Sequence, residues 1–328
     1  MNGNVLFAIL TASVFGLIPF NDLGPAPYAY GYFGGLYEDG SNTIPADHLA
    51  AGLSRAALIV PRDSNGHPSP SGKIVFLTAG FGETERISNA FFDLARADPR
   101  VDHDAVVMIN AAHEGYDSVV WTPPQSDVNL NRIRDTLLTP AHVSEKQVQV
   151  AWVQMVTNFP YHPLPPADSD AYRLKGAISL ALHALKSRYP NLQIAYLSSR
   201  VYGGYATTAW NPEPYSYESA LSVRWVVVGQ ITLMRTGFLW DTRIGPVDYL
   251  KGDVPWLAWG PYLWANGTMP RSDGLTWQID DFELDGERLS AKGAQKGAQL
   301  LLQFLLGEPT ASWFRSSDAV MRLRAVRH

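Results

Sequence analysis

The chain has 328 residues, enough for one large α/β domain or two small ones. Its formal net charge is -5, which argues against nucleic-acid binding, because phosphate contacts need a basic face. Cysteine is absent, which excludes disulfides and thiolate metal sites. Only 17% of residues are charged, whereas ten Trp and fifteen Tyr raise the aromatic content, a composition suited to contact with carbohydrate.

The N-terminal residues are apolar. Residues 1–21 carry no charged side chain, and the run 5–20 has about the length of a signal-peptide core and is slightly short for a membrane span. We therefore predict that residues 1–20 form a signal peptide or an apolar anchor and that the protein is exported. Any membrane contact is expected only through this segment. The alternative is an apolar first strand, since no Lys or Arg precedes the run.

Residues 21–310 are predicted to form one domain, followed by a C-terminal tail at 311–328. After a loop rich in Pro, Tyr and Gly, Asp47 caps the first helix. Five apolar strands are then predicted at 74–79, 105–111, 148–153, 193–198 and 256–259. Helices are predicted between and after them at 83–97, 126–138, 169–189, 217–235 and 291–306.

The strands are continuous apolar runs and do not alternate with polar residues, which is typical of parallel strands covered on both faces. We therefore predict an α/β protein, a three-layer α/β/α doubly wound sheet of five parallel strands, similar to flavodoxin. In such sheets the functional site lies at the carboxyl ends of the strands. The loops at those ends are 80–84, 112–115, 154–158, 199–217 and 260–272.

These loops contain candidate ligand-binding residues. Aromatic rings could stack on the face of a sugar while polar groups bind its hydroxyls, although the same aromatics could simply pin a long loop onto the sheet. The candidates are Glu83, Glu114, Arg200, Tyr202, Tyr205, Asn211, Glu213 and Tyr215.

Metal and cofactor chemistry is not expected. The eight histidines show no paired spacing such as HxxxH. The turn at 80–84 is neither a phosphate loop nor a dinucleotide fingerprint.

Several motifs together resemble a branch of the SGNH/GDSL hydrolase superfamily found in exported bacterial proteins, over about residues 18–306. The motifs are Asn21-Asp22-Leu23-Gly24, Gly34-Gly35-Leu36-Tyr37 with Gly40-Ser41-Asn42, the strand and turn 76–80, the segment 195–200, Asn211-Pro212-Glu213-Pro214-Tyr215 with Tyr217-Glu218, the segment 256–262 and Arg271-Ser272-Asp273-Gly274-Leu275.

The resemblance implies a catalytic serine at position 82, an oxyanion glycine at 115, an oxyanion asparagine after the third strand, and an aspartate and histidine at 285 and 288. Gly115 and Asp285 match this pattern, but position 82 is Gly82 and position 288 is Arg288. The third strand ends in Gln154 where the asparagine is expected. Glycine has no nucleophile and arginine stays protonated, so the resemblance predicts a scaffold whose catalytic triad is lost.

Substitute groups are conceivable in the same loops. Thr84 could supply a hydroxyl and His113 a base, although Thr84 also suits a helix cap. Glu83 and Asp285 could act as a glycosidic carboxylate pair, or Glu83 could simply favour the positive end of its helix. Arg288 is expected to form an ion pair with Asp285 or Glu287, or to present a cation to an anionic ligand.

The sequence thus favours an exported pseudoenzyme that binds carbohydrate or an acylated glycan in the former active-site cleft. One alternative is an active serine-type carbohydrate esterase or deacetylase with a non-standard nucleophile. Another is a structural subunit of an envelope complex that binds a protein partner and is anchored by its N-terminus.

Overall fold

The computed structural model describes residues 16–28 and 31–316. Its centre is a sheet of five strands, all paired in parallel, in the order β2-β1-β3-β4-β5. The strands are β1 (Ile74–Gly80), β2 (Val106–Asn110), β3 (Val148–Gln154), β4 (Ile194–Ser198) and β5 (Trp256–Trp259). The predicted fold class is confirmed, and each strand lies within a residue or two of its predicted position.

Helices cover both faces of the sheet. They are α1 (Phe20–Leu23), α2 (Ala46–Ala56), α3 (Gly82–Ala97), α4 (Gln125–Ile133), α5 (Asp170–Arg188), α6 (Tyr215–Thr236) and α7 (Ala291–Gly307). Helix α3 packs on α7, and α5 packs on α6. From β1 the chain steps to β2 at one edge of the sheet, and from β2 it steps back across the sheet towards β5 at the other edge. Because crossovers are right-handed, this reversal places the two helix pairs on opposite faces of the sheet.

The burial of the strands explains why their positions could be predicted from continuous apolar runs in the sequence. Every residue of β1, β3, β4 and β5 is buried, whereas the edge strand β2 is partly accessible. In the register of the sheet Gly80 lies beside Gln154, and Gln154 lies beside Ser198. The loops that follow β1, β3 and β4 therefore begin at the same level, on either side of the point where the strand order reverses.

The packed fold extends past the predicted domain bounds of 21 and 310. Leu17 and Phe20 are buried, and the Phe20 amide donates to the Tyr262 hydroxyl at 3.1 Å. At the other end, a 3₁₀ helix at Pro309–Phe314 buries Trp313 and Phe314. The rest of the predicted signal segment and tail, 1–15 and 317–328, lies outside the described residues. Within the described ranges, no helix has the length and apolar character needed to cross a membrane.

Candidate functional site

A small cleft lies at the carboxyl ends of β1, β3 and β4. Its volume is about 40 Å³, which is room for little more than a water molecule. The lining residues are Phe81, Gly82, Glu83, Glu114, Gly115, Tyr116, Val156, Asn158, Arg200, Trp210, Asn211, Glu287 and Arg288. The predicted positions 82, 83, 114, 115, 200, 211 and 288 are thus brought together.

Position 82 stands at the mouth of the cleft, at the first residue of α3. The preceding turn is fixed by the Trp121 indole, whose N–H donates to the Gly80 carbonyl at 3.1 Å. A Cβ built on Gly82 would lie 2.8 Å from Oε2 of Glu114. The Glu114 carboxylate therefore occupies space that a side chain at position 82 would need, and no hydroxyl stands there.

The Glu114 carboxylate is held by a neighbouring cation. Arg86 Nε lies 3.5 Å from Glu114 Oε2, and both side chains are partly exposed. The backbone N–H of Glu114 donates to Glu85 at 2.5 Å. The loop after β2 is thus tied to α3, and its carboxylate is directed at the turn where the resemblance implies a nucleophile.

The last turn holds an ion pair. Arg288 Nε donates to Asp285 Oδ2 at 2.5 Å, and Asp285 Oδ1 accepts the backbone N–H groups of Glu287 and Arg288, each at 3.0 Å. Burial alone would raise the pKa of Asp285, but these hydrogen bonds and the guanidinium outweigh it and lower that pKa. The carboxylate that would orient a histidine instead holds a cation that cannot accept a proton.

A buried ion pair closes the floor of the cleft. Arg200 donates from Nε and Nη2 to Glu83 Oε2 at 3.2 and 3.1 Å, and the Val201 amide donates to Oε1 at 3.2 Å. The Gln154 amide also donates to Oε1. Burial raises the pKa of Glu83, and Arg200 opposes that rise. Because both oxygens face only donors, the geometry fits the ionised carboxylate.

The possible substitute catalysts are engaged elsewhere. The Thr84 hydroxyl is buried and donates to Gln154 Oε1 at 2.8 Å. His113 Nδ1 lies 2.6 Å from the Glu114 carbonyl, which requires an Nδ1–H donor, and its ring stacks on Tyr116 at 4.6 Å. Neither residue is among the described residues that line the cleft. The structure does not bring Thr84 and His113 together as a hydroxyl and imidazole couple.

Four other predicted ligand residues organise the loop after β4. Glu213 is partly buried and accepts the Gly203 amide at 2.9 Å and the Trp264 indole N–H at 2.7 Å, and desolvation raises its pKa. Tyr202 packs edge-on against Tyr205 at 5.0 Å, and the Tyr205 hydroxyl donates to the Trp277 carbonyl at 3.0 Å.

Tyr215 borders a separate cavity beside Asp170 and Glu218. The described residues that line the cleft include none of these four predicted ligand residues, Tyr202, Tyr205, Glu213 and Tyr215. Their packing fits the other interpretation of the sequence, in which aromatics pin the loop to the core.

The contacts of two residues of the site, Gln154 and Glu287, were not predicted from the sequence. Gln154 links Glu83, Thr84 and the Ser199 carbonyl, the last at 3.0 Å. Glu287 holds the loop after β4 by accepting the Asn211 amide at 2.8 Å. A buried polar residue at the carboxyl end of a central strand is the signal for this role of Gln154. The part of the chain that the structure describes contains no group of three His, Asp or Glu placed to hold a metal ion.

No family model and no curated protein matches this chain. Among solved structures it is similar to protein YxiM of Bacillus subtilis, with 12% identity and a TM-score of 0.36 over 73% of this chain. The chain spans 58% of the length of that protein.

It is also similar to a candidate acylhydrolase from Bacteroides fragilis, with 13% identity and a TM-score of 0.37 over 80% of this chain and 96% of that one. A third similar structure is the periplasmic domain of a lipopolysaccharide acetyltransferase from Salmonella ser. Paratyphi A, with 10% identity and a TM-score of 0.33 over 79% and 94%. Likeness at this level does not determine the activity of this chain.

Proposed function

We propose that this chain is a catalytically degenerate protein of the SGNH type, which binds carbohydrate without cleaving an acyl bond. One observation carries the proposal. Of the described residues that line the cleft, none is Ser, Thr, Cys or His. Serine-type acyl transfer needs a Ser, Thr or Cys nucleophile beside an imidazole that takes its proton, and neither side chain is among the described lining residues.

The carboxylates of the site offer no replacement chemistry. Glycosidic cleavage uses one protonated and one ionised carboxyl group on either side of the bond. Glu83 is buried and paired with Arg200, and Asp285 is paired with Arg288. Both carboxylates are therefore occupied by guanidinium groups, which supports a loss of hydrolytic function and not a change of mechanism.

An ester-hydrolysis assay tests the proposal. Purified protein is incubated with p-nitrophenyl acetate and p-nitrophenyl butyrate, and release of nitrophenol is compared with buffer. We expect the buffer rate for the wild-type chain and for the variants Thr84→Ala and His113→Ala. Wild-type turnover that either variant abolishes would establish an active esterase and refute the proposal.

We also propose that the protein is exported, on the support of the apolar run 5–20. Since Leu17 and Phe20 pack in the core, processing should remove residues only up to about position 16. Mass spectrometry of the secreted product should find its first residue at or before Leu17. A product that begins after Phe20, or an unprocessed chain in the cytosol, contradicts this.

A further inference from the structure

A larger concave surface runs along the outer side of α6, away from the cleft. We call it the α6 groove. Its two parts have volumes of about 590 and about 290 Å³ and share Tyr32, Trp225 and Val228. Ligand sites usually enclose about 300–1,000 Å³. The groove therefore has the size of a ligand site, whereas the cleft, at about 40 Å³, does not.

Helix α6 carries side chains for this groove in addition to those that it places in the core. Val223, Val227 and Ile231 are buried. A second stripe, Leu221, Trp225, Val228 and Thr232, follows the same helical spacing and lines the groove.

The centre of the groove is held rigidly. Trp225 stacks on Tyr172 with a centroid distance of 4.8 Å and an interplanar angle of 13°. Tyr32 meets Trp225 edge-on at 5.6 Å, and its hydroxyl lies 2.8 Å from the Tyr172 hydroxyl. A platform fixed in this way loses little conformational freedom when a ligand binds.

Aromatic rings are exposed at both parts of the groove. Phe33, in the larger part, is 50% exposed, and Trp240, in the smaller part, is 76% exposed. Exposed rings that border a contiguous apolar groove mark a binding surface, in contrast to single exposed hydrophobic residues. Their flat apolar faces match the C–H faces of β-linked pyranose rings.

The charged groups of the groove are largely compensated. Lys175 pairs with Asp241, and Glu38 pairs with Arg235. Arg224 donates to the Phe33 carbonyl, and also to a second backbone carbonyl at 3.1 Å. A strongly charged ligand would have to compete with these partners, so the groove favours a neutral one.

We infer that the α6 groove binds a neutral β-linked oligosaccharide, which stacks on Phe33 and Trp240 and donates hydroxyl hydrogen bonds to the exposed Asp39 carboxylate. Asp39 is exposed and lines the groove, and its charge acts on the Arg224 guanidinium in the same part of the groove. The inference rests on the proposed function, in that the bound sugar is not cleaved, and it places binding outside the former active-site cleft.

Isothermal titration calorimetry with cellotetraose and chitotetraose tests this inference on the full chain. Trp240→Ala is compared with Trp210→Ala, a matched variant because Trp210 is also exposed but lines the cleft. We expect Trp240→Ala to weaken binding of at least one probe about tenfold and Trp210→Ala to leave it unchanged. Phe33→Ala, at the other part of the groove, should weaken the same probe, and circular dichroism checks that all three variants fold.

The outcomes separate the two proposals. If Trp210→Ala abolishes binding and Trp240→Ala does not, the assignment of the binding site to the α6 groove is overturned, and the proposed function stays intact. If the wild-type chain binds neither probe, the assignment of an oligosaccharide site to the α6 groove is overturned as well. Ester turnover by the wild-type chain would overturn the proposed function whichever tryptophan governs binding.

Discussion

The buried pair of Glu83 and Arg200 provides a quantitative test of the site. Removing one partner of a buried ion pair costs about 3–5 kcal/mol, because the other charge stays buried without compensation. The side chains of Glu83 and Arg200 are 1% and 4% exposed, so this range applies. We expect Arg200→Met to lower the free energy of unfolding by about 3–5 kcal/mol at pH 7.

A double-mutant cycle isolates the pair. Glu83→Gln leaves Arg200 unpaired and should also be costly, while Glu83→Gln with Arg200→Met removes both charges. The double variant should lose less stability than the sum of the two single variants, by about 2 kcal/mol or more. Urea denaturation followed by tryptophan fluorescence measures all four chains. Arg96→Met, in the exposed pair of Arg96 and Asp93, is the control and should cost about 1 kcal/mol or less.

The variant Arg200→Met should also respond to pH. Without the guanidinium, burial raises the pKa of Glu83 further, opposed only by the hydrogen bonds from Val201 and Gln154. The folded chain then binds a proton more readily than the unfolded chain, so stability is greatest below the unfolded pKa and is lost as pH rises through the folded one. Relative to wild type, the variant should therefore recover stability as the pH is lowered from neutral towards the unfolded pKa of a glutamate, about 4.3. A cost below 1 kcal/mol with no such recovery would refute the assignment of a buried ionised pair.

Two further predictions concern backbone and burial elsewhere. Gly286→Ala should destabilise the chain by about 3 kcal/mol or more in urea denaturation, because φ is +69° and a Cβ would lie 1.9 Å from the Tyr205 carbonyl oxygen. In Gly82→Ala the new Cβ is closest to the end of the Glu114 side chain, which can move, so this variant should lose about 1 kcal/mol or less. Equal losses of unfolding free energy in Gly82→Ala and Gly286→Ala would contradict the role given to the Tyr205 backbone contact. Burial raises the pKa of Glu218 to about 7. Wild-type Tm should therefore fall between pH 5 and pH 8 by more than that of Glu218→Gln, and parallel curves would show that this carboxyl group does not titrate in the window.

The sequence by itself determined the fold class and the position of the cleft. Apolar strands that are buried on both faces read as continuous runs, and parallel strands bring their carboxyl ends to one edge of the sheet. The strand pattern placed Gly82 and Gly115 at one edge of the sheet, whereas Arg288 was assigned to the same site only by the family resemblance. An ion pair of Arg288 with Asp285 or Glu287 was one expectation from the sequence, because these residues lie in a single turn, and the structure shows the pair with Asp285.

Only the tertiary structure decided which side chains meet inside that frame. Glu83 and Arg200 are 117 positions apart, and their pairing depends on how the loops after β1 and β4 fold over Gln154. The same folding brings the backbone amides of Gly203 and Tyr217 to the Glu213 carboxylate and closes the cleft to about 40 Å³. The α6 groove exists because a second stripe on one helix meets a loop from near the N-terminus. Periodicity states which residues share a face of an element, but long-range side-chain packing determines what that face contacts.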